Sequence, residues 1–231
     1  MPYTSDYPFV YLTADVVAFS LRPGTGLSVL MVRRGNPPYR GRWAFPGGFV
    51  DENEDIERAA RRELQEETGI SGRRLRLRQL GAYGAPRRDP RHRVVSVAWL
   101  TGLPEDVEPQ AGDDASGAEW LPVEDLTGSR RLAFDHARIL ADALERLRDD
   151  LQDTTLALTF LAEEFTVADL RAVYESVWEQ PLDPGNFQRK VTGVPGLLED
   201  TGYRTDGARG RPATLYRAGT ATAITPPLLR P

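Results

Sequence analysis

The sequence of 231 residues contains no cysteine and only two histidines, His92 and His136. Without cysteine the chain can form no disulfide bond, no thiolate nucleophile and no cysteine-ligated zinc site. Two isolated histidines also exclude a histidine-rich metal centre. Neither histidine lies in a motif, so both are interpreted as ordinary structural or surface residues.

The sequence also lacks a membrane-spanning run, a signal peptide and an excess of positive charge. No apolar stretch approaches the length that a bilayer requires. The N-terminal MPYTSDYPFVYLTADVVAFS has neither the basic segment nor the cleavage site of a signal peptide, so a cytoplasmic location is expected. The formal net charge of −5 excludes polyanion binding by the whole molecule, but it is compatible with a local basic patch.

The composition is that of a globular protein, with 40% hydrophobic and 27% charged residues and no low-complexity tract. A chain of this length forms one large domain or two ordinary ones. Because the character of the sequence changes after a helix predicted at 134–151, we expect domains at 1–152 and 153–231.

The first domain is expected to combine strands and helices. Segments rich in β-branched and aromatic residues predict strands at 9–20, 26–33, 75–83, 93–101 and around 118–121. A helix of about 16 residues is predicted to begin near Glu54.

The helix predicted at 134–151 carries a leucine stripe at alternating spacings of four and three, formed by Leu140, Leu144, Leu147 and Leu151. Such a stripe is typical of a helix that is buried against another element. It fits docking onto the chain's own first domain and dimerisation equally well, so both alternatives are open.

The stretch GGFVDENEDIERAARRELQEETGI, at 47–70, is rich in acidic residues behind a Gly-Gly pair. Residues three and four apart are neighbours on a helix, so Glu63 and Glu67 lie one turn apart with Glu66 beside them. No cation is expected at the matching positions. Converging carboxylates repel each other unless a cation neutralises them, and hard oxygen ligands suit Mg²⁺ or Mn²⁺. A solvated helix laced with salt bridges is the alternative.

The spacing within this stretch decides between the two interpretations. The pattern is Gly48, five residues, Glu54, seven residues, Arg62 and Glu63, and then Leu64, Glu66, Glu67, Gly69 and Ile70. It resembles the Nudix box at every defined position, and agreement at nine positions by chance is very rare. The spacing therefore favours a functional site.

The resemblance implies roles for individual residues. Glu63, Glu66 and Glu67 correspond to the metal-binding carboxylates of the Nudix family, and Glu66 or Glu67 is also the candidate for activating water. Glu54 and Arg62 correspond to the pair that braces the loop and the helix. The family cleaves a nucleoside diphosphate linked to another group, with metal ions that hold the pyrophosphate and generate the attacking hydroxide.

Further residues are expected to contact the ligand. Gly47 and Gly48 allow the backbone to approach metal and phosphate closely. Pro86 lies sixteen residues past the box, a placement associated with ADP-ribose pyrophosphatases in this superfamily. Arg87 and Arg88, in the loop RRDPRHR, supply cations for phosphates or for a second subunit. A solvated basic loop is the alternative.

The second domain has the element order of a winged helix-turn-helix. Thr166 and Asp169 form a capping-box pattern ahead of an apolar helical face. A second helix is predicted in LDPGNFQRKV, with Asp183 as its N-cap and Pro184 at its first position. The final segment, GYRTDGARGRPATLYRAG, predicts a β-hairpin. Two helices followed by a hairpin are typical of winged helices.

Positive charge is concentrated in the second half of this domain. Residues 182–231 contain seven cations and four acids, a local net charge of +3. The residues predicted to contact DNA bases or phosphates are Asn186, Gln188, Arg189 and Lys190 on the second helix, and Arg209 and Arg211 at the hairpin tip. The alternatives are an accessory dimerisation domain with solvated arginines and a protein-binding module.

The two halves together are more specific than either alone. A complete Nudix box followed by LDPGNFQRKV and GRPATLYR resembles the Nudix-related transcriptional regulators of NAD metabolism. The resemblance covers nearly the whole chain. It implies an α/β (α+β) fold class, in which a Nudix α/β/α sandwich with a mixed sheet precedes a small winged helix-turn-helix domain. It also implies a homodimer that binds a palindromic DNA operator and releases it when the Nudix domain binds ADP-ribose.

The expected function is therefore that of a dimeric DNA-binding regulator that senses ADP-ribose or a related nucleotide. Because the box is intact, Mg²⁺-dependent pyrophosphatase activity is compatible with this function. The first alternative is an ADP-ribose pyrophosphatase whose C-terminal domain serves only dimerisation. The second is a regulator that senses a sugar and does not use its box.

Overall fold

The computed structural model describes residues 8–72, 75–110, 115–127, 131–206 and 212–230. The strands within these ranges are β1 (Tyr11–Arg22), β2 (Gly26–Arg34), β3 (Trp43–Ala44), β4 (Gly47–Phe49), β5 (Arg78–Tyr83), β6 (Val94–Leu103), β7 (Ala115–Pro122), β8 (Leu198–Arg204) and β9 (Thr214–Ala218). The helices are α1 (Ile56–Thr68), α2 (Val123–Leu126), α3 (His136–Asp153), α4 (Val167–Trp178) and α5 (Pro184–Gly193), with a 3-10 helix at Leu156–Phe160.

Strand β1 lies in the middle of a seven-stranded mixed sheet. It pairs with β6 in parallel over most of its length, from Tyr11 opposite Val94 to Ser20 opposite Leu103. Its other edge is shared by β2 and β4, both antiparallel to it. The β4 pairing places Gly47 opposite Asp15, which brings the Gly-Gly pair next to the middle of the sheet.

Alternation along β1 divides the first part of the molecule into three layers. Ala14, Val16 and Ala18 pack in the hydrophobic cluster that includes α1, whereas Val17 and Phe19 pack in the cluster that includes α3. Successive side chains of a strand point to opposite faces of its sheet, so helices cover both faces. This α/β/α sandwich with a mixed sheet confirms the predicted fold class.

Helix α1 is shorter than the sequence predicts. It spans 13 residues from Ile56 and not about 16 from Glu54. Asp55 is the N-cap, with a side chain that accepts a hydrogen bond from the Glu57 backbone N–H at 2.9 Å. Because the cap fixes an extended backbone at Asp55, Glu54 lies in the preceding loop, from which its carboxylate reaches back to the helix.

The predicted helical caps of the second part are confirmed. Thr166 and Asp169 form a complete capping box at α4, and Asp183 caps α5 with Pro184 in its first turn. Strands β8 and β9 form the predicted antiparallel hairpin. Phe187 of α5 packs edge-on against Tyr174 of α4, with ring centroids 5.2 Å apart. The fold is therefore a Nudix sandwich followed by a winged helix.

The leucine stripe of α3 is buried by the chain itself. Leu140, Leu144, Leu147 and Leu151 are each at most 8% exposed and belong to one cluster with side chains from the sheet, α4 and α5. Docking within the chain is thus the alternative that the structure supports. The stripe is not available to a second subunit, because its own chain already covers it.

Polar contacts of Arg148 join α3 to the winged helix. The Trp178 indole N–H donates to the Arg148 backbone oxygen at 3.0 Å, and the Arg148 guanidinium pairs with Glu179 at 2.7 Å. The chain then returns to the end of α3, where the Ile224 N–H donates to the Asp153 oxygen at 2.7 Å. None of the helices in the described ranges is both long and apolar enough to cross a membrane.

Candidate functional site

A cavity of about 400 Å³ lies beside the N-terminal half of β1, between the sheet, the Gly-Gly loop and α1. Segments from six separate parts of the sequence contribute to it. Its charged lining residues are Asp15, Arg34, Asp51, Arg62, Glu63, Glu67, Arg88, Asp89 and Arg91, with the neutral ring of His136 beside them. Carboxylates and guanidinium groups therefore face one volume, as a ligand with phosphate and metal components would require.

The Gly-Gly pair sits against the acidic wall of this cavity. The Gly47 N–H donates to Glu67 Oε2 at 2.9 Å, which fixes that carboxylate against β4. A Cβ atom at Gly48 would overlap the Glu63 carboxylate, and one at Gly47 would overlap the backbone of Ala14. Only glycine allows this approach, so both glycines have a geometric reason in the structure.

Arg62 corrects the expectation that no cation accompanies the three glutamates. Its guanidinium contacts Glu54 at 2.8 Å, Glu63 at 2.8 Å and Glu66 at 3.0 Å, and it also donates to the Phe49 oxygen at 3.0 Å. The side chain is long enough to reach both its sequence neighbour and the residue one turn later. The helical positions alone did not reveal this reach. The hydrogen bond with Glu54 is the main reason why the Arg62 pKa is raised and the Glu54 pKa is lowered.

The three predicted metal carboxylates are not assembled alike. Glu63 and Glu67 line the cavity, whereas the Glu66 side chain is 57% exposed and is not among the lining residues. In the described part of the chain, no group of three or more acidic or histidine side chains is close enough together to hold a metal ion. The pair that lines the cavity nevertheless offers hard oxygen donors of the kind that Mg²⁺ prefers.

Burial changes the acidity of two cavity carboxyls. It raises the pKa of Glu67 to about 7, an effect that the Gly47 hydrogen bond opposes. It also raises the pKa of Asp15 to about 6, although Asp15 accepts a hydrogen bond from the Ser96 hydroxyl. Desolvation disfavours the charged form of a carboxyl. A ligand-bound cation would reverse the effect and favour both carboxylates.

The basic loop divides between the cavity and the solvent. Arg88 is buried, lines the cavity and contacts Asp135 at 2.8 Å, whereas Pro86 and Arg87 are exposed and do not line it. Arg91 also lines the cavity and pairs with Asp89 at 2.7 Å. Part of this loop is therefore built into the structure, and the interpretation as a fully solvated basic loop does not fit Arg88.

The sequence analysis missed several cavity residues, of which Asp15, Arg34 and His136 are the best placed to contact a ligand. Asp15 was detectable as an acid inside the apolar run VYLTADVVAFS, because an acid is almost never buried without a partner or a function. His136 gave no motif signal. Phe134, two residues before it on the cavity wall, has a φ of 49°, which is uncommon for a bulky residue.

His136 makes protein stability depend on pH in a predictable direction. Burial lowers its pKa from 6.5 to about 3. Between pH 6.5 and about 3, the unfolded chain therefore binds more protons than the folded chain. The stability that neutral His136 contributes is present above pH 6.5 and is lost as the pH falls towards 3. When the pH is lowered from about 7 to about 4.5, the unfolding free energy of the wild type should fall by about 2 to 3 kcal/mol relative to that of His136→Gln.

Urea unfolding at the two pH values measures this shift. Asp15 and Glu67 titrate in the same range with the opposite sign, because their pKa values are raised. They are present in both proteins, so the comparison removes their contributions. A difference in unfolding free energy that stays constant with pH would show that His136 does not titrate as a buried neutral group.

Helix α5 presents the predicted base-reading side chains to solvent. Asn186, Gln188, Arg189 and Lys190 are all exposed, while Phe187 and Val191 on the opposite face are buried. Arg189 donates to Asn186 at 2.7 Å, and neither Arg189 nor Lys190 pairs with an acidic residue in the ranges that the structure describes.

The hairpin is described only in part. Arg209 and Arg211, predicted to contact the minor groove, lie outside the described residues. Arg217, on β9, pairs with Glu164 at 2.6 Å and is therefore partly neutralised by its own domain. The positive charge available on the described surface is thus more concentrated on α5 than the sequence count indicates.

Comparisons with known proteins agree with this architecture. The NUDIX domain family matches residues 12–143, and the NrtR DNA-binding winged helix domain family matches residues 157–218. The ADPR responsive transcriptional repressor NtrR of Acinetobacter baylyi is 33% identical over 92% of this chain and 84% of the relative. The chain belongs to the NrtR family.

Solved structures of an NrtR protein from Shewanella oneidensis are similar to this chain. The structure complexed with a 27mer DNA superposes with a TM-score of 0.83 and 32% identity, covering 94% of this chain and 99% of that one. The Nudix domain of that protein complexed with ADP ribose has a TM-score of 0.56 and 33% identity, covering 61% of this chain and 90% of that one. The NrtR architecture therefore extends over both halves of the chain.

Proposed function

We propose that this NrtR-family chain is a DNA-binding transcriptional repressor of NAD-related metabolism that senses ADP-ribose, or a related nucleotide, through its Nudix domain. The observation that carries the proposal is the presence, in one chain, of a mixed-charge cavity and a helix whose base-reading side chains are exposed. Whole-chain similarity to a repressor named as ADPR responsive, and to a protein solved with DNA, supports it. The active form is a homodimer on a palindromic operator.

Within this proposal, the residues of the cavity have complementary roles. Arg88, Arg34 and Arg91 offer positive charge to the diphosphate, and Gly47 and Gly48 allow it to approach the backbone. Arg62 and Glu54 hold the loop against α1. Pro86 and Arg87 lie at the exposed edge, where they reach only the part of a ligand that projects from the cavity.

Mg²⁺ or Mn²⁺ is the cofactor that the donor set fits. Glu63 and Glu67 line the cavity with carboxylate oxygens, and the absence of a side chain at Gly48 allows the Glu63 carboxylate to lie against β4. Glu66 would join them only after leaving Arg62. A bound ion would neutralise part of the ligand's diphosphate charge and hold it against the two carboxylates.

The ligand cavity and the DNA-binding helix are joined by continuous packing. A single hydrophobic cluster includes Phe19 of the sheet, Leu147 of α3, Val177 of α4 and Val191 of α5. Packed elements of this kind can couple two sites when they have two arrangements and each site favours one of them. We place the domain boundary at 152/153, immediately before the end of α3, so that this helix belongs to the Nudix domain and contacts the winged helix.

A fluorescence-anisotropy titration tests the proposal. The DNA is a labelled duplex from upstream of the protein's own gene neighbourhood, and the titration is run with Mg²⁺, with and without saturating ADP-ribose. ADP-ribose should weaken DNA binding about 5- to 150-fold, and DNA should weaken ADP-ribose binding by the same factor, because coupling is one shared free energy.

The ligand controls distinguish the alternatives. A phosphate-free pentose in place of ADP-ribose should leave DNA binding unchanged. If the pentose releases the DNA and ADP-ribose does not, the chain is a sugar sensor. If DNA does not bind at all, the assignment as a repressor is wrong, and the accessory-domain alternative replaces it.

Retained pyrophosphatase activity is the second candidate function. The observation in its favour is geometric: the Glu67 carboxylate lines the cavity and is held in place by the Gly47 N–H, as a group that activates water must be. Cleavage of ADP-ribose at its pyrophosphate would give AMP and ribose 5-phosphate. Analysis of the same titration mixtures for these products shows whether the ligand is consumed while it regulates DNA binding.

A further inference from the structure

His136 is a buried residue on the wall of the ligand cavity that the Nudix box does not include. It is 2% exposed, begins α3 and faces the same volume as Glu67 and Arg88. The roles proposed above for the acidic and basic walls do not use it. Its hydrogen bonding nevertheless fixes what it can offer to a ligand.

A backbone N–H just before β4 determines which ring nitrogen of His136 carries the proton. The Phe45 N–H donates to His136 Nδ1 at 3.0 Å. The two rings stack with centroids 4.8 Å apart and an interplanar angle of 16°, which holds the imidazole in this orientation. Since a backbone N–H is only a donor, Nδ1 must be unprotonated, and a neutral imidazole then carries its proton on Nε2.

The surroundings keep the ring neutral. Burial and the nearby cations Arg88 and Arg34 lower the pKa of His136, and Asp135 opposes them only in part. Asp15, which faces the same cavity from β1, is itself buried. His136 is therefore a donor without positive charge throughout the physiological range.

The Nε2–H group has no use within the protein. The His136 side chain forms no other hydrogen bond among the described residues. In the described ranges, the fully buried side-chain polar atoms that lack a hydrogen-bond partner belong to Thr13, Trp99, Asp150 and Arg171. The Nε2 atom of His136 is not one of them. Nε2 thus retains accessible surface, and the surface that His136 borders is the cavity.

We propose that His136 donates a hydrogen bond from Nε2 to an oxygen of the ribose-phosphate part of the ligand and is a specificity-determining residue of the cavity. This inference rests on the proposed function. A neutral donor recognises an acceptor oxygen without adding charge, and it disfavours ligands that leave Nε2–H without a partner. Because His136 is the first residue of α3, the bond also joins the ligand to the helix that contacts the winged helix.

Nitrogen NMR of the two histidines tests the proposal directly. The full chain is labelled with ¹⁵N-histidine, and His92→Gln assigns the spectrum, because His92 is exposed and lies outside the cavity. His136 should show the neutral Nε2–H form between about pH 6 and 8. Saturating ADP-ribose should shift the Nε2 resonance more than the Nδ1 resonance, and separate additions of AMP and ribose 5-phosphate show which half of the ligand carries the acceptor.

Two NMR results would overturn the proposed role of His136. An Nδ1–H form in the free protein overturns the proposal. So does an unchanged Nε2 resonance while calorimetry shows that ADP-ribose is bound, and in that case the proposed function survives. If calorimetry shows no ADP-ribose binding, the proposed function fails and the role of His136 fails with it.

Two variants separate the donor from the structural role of the ring. His136→Gln can accept from Phe45 and still donate, so it should bind ADP-ribose within about threefold of the wild type. His136→Phe keeps an aromatic ring against Phe45 but lacks the donor, and it should bind about 10- to 100-fold more weakly. Thermal unfolding establishes that both variants are folded. Equal affinity of the two variants would overturn the proposal.

Discussion

Replacing Arg189 and Lys190 together with alanine is expected to weaken binding to the cognate operator at least about 100-fold. Both side chains project from the exposed face of α5, and neither is engaged by an acidic residue in the described ranges. A base contact contributes about 1 to 3 kcal/mol, and each substitution counts twice on a two-fold symmetric operator. The loss of affinity should therefore exceed that of any single surface charge.

The salt dependence of binding separates the two kinds of contact. Loss of a phosphate contact should reduce the slope of log K against log salt by about one for each contact. The matched control is Arg40→Ala with Arg138→Ala, which removes two exposed charges from the Nudix domain. The control should bind DNA within about threefold of the wild type. Equal losses in both double variants would mean that α5 does not read DNA.

Replacing Arg62 with alanine is expected to cost about 2 to 3 kcal/mol of stability, because two half-buried acids lose their charged hydrogen-bond partner. The Glu54 and Glu63 side chains are only 9% and 14% exposed, and Arg62 contacts both. Its fourth contact, to the Phe49 oxygen, attaches β4 to α1. The variant should therefore lose both the neutralisation of the acids and the position of the Gly-Gly pair.

Urea unfolding measures this loss, and Arg138→Ala is its control. Arg138 is 73% exposed and its pair with Asp142 is 3.8 Å long, so its removal should cost about 1 kcal/mol or less. Magnesium should stabilise Arg62→Ala more than it stabilises the wild type, because the released carboxylates then repel one another. A loss for Arg62→Ala no larger than that for Arg138→Ala would contradict the bracing role.

The site shows the limit of sequence-based prediction most clearly at Arg62. Helical periodicity placed Glu63 and Glu67 on one face of α1, and the resemblance to the Nudix box implied that Arg62 pairs with Glu54. Neither indicated that the same guanidinium also contacts Glu63 and Glu66. Helical spacing describes the positions of Cβ atoms, whereas a long flexible side chain can turn towards any of several partners. The conformation it adopts depends on Phe49, which tertiary pairing brings close.

Local patterns determined the elements and their order. The capping box at Thr166 and the N-cap at Asp183 depend on residues within a few positions of each other. Hydrogen bonds of this range form in the same way wherever the segment lies in the fold. The sequence by itself was therefore sufficient for the Nudix box helix, the winged helix and the family resemblance.

Tertiary structure alone decided the contents of the cavity. Asp15, Arg88 and His136 come from three distant segments, and they meet because β1 pairs in parallel with β6 and α3 covers one face of the sheet. A parallel register between strands eighty residues apart is set by global packing and is not marked by any local pattern. For the same physical reason, the partner of the α3 leucines became known only when the sheet and the winged helix were seen to bury them together.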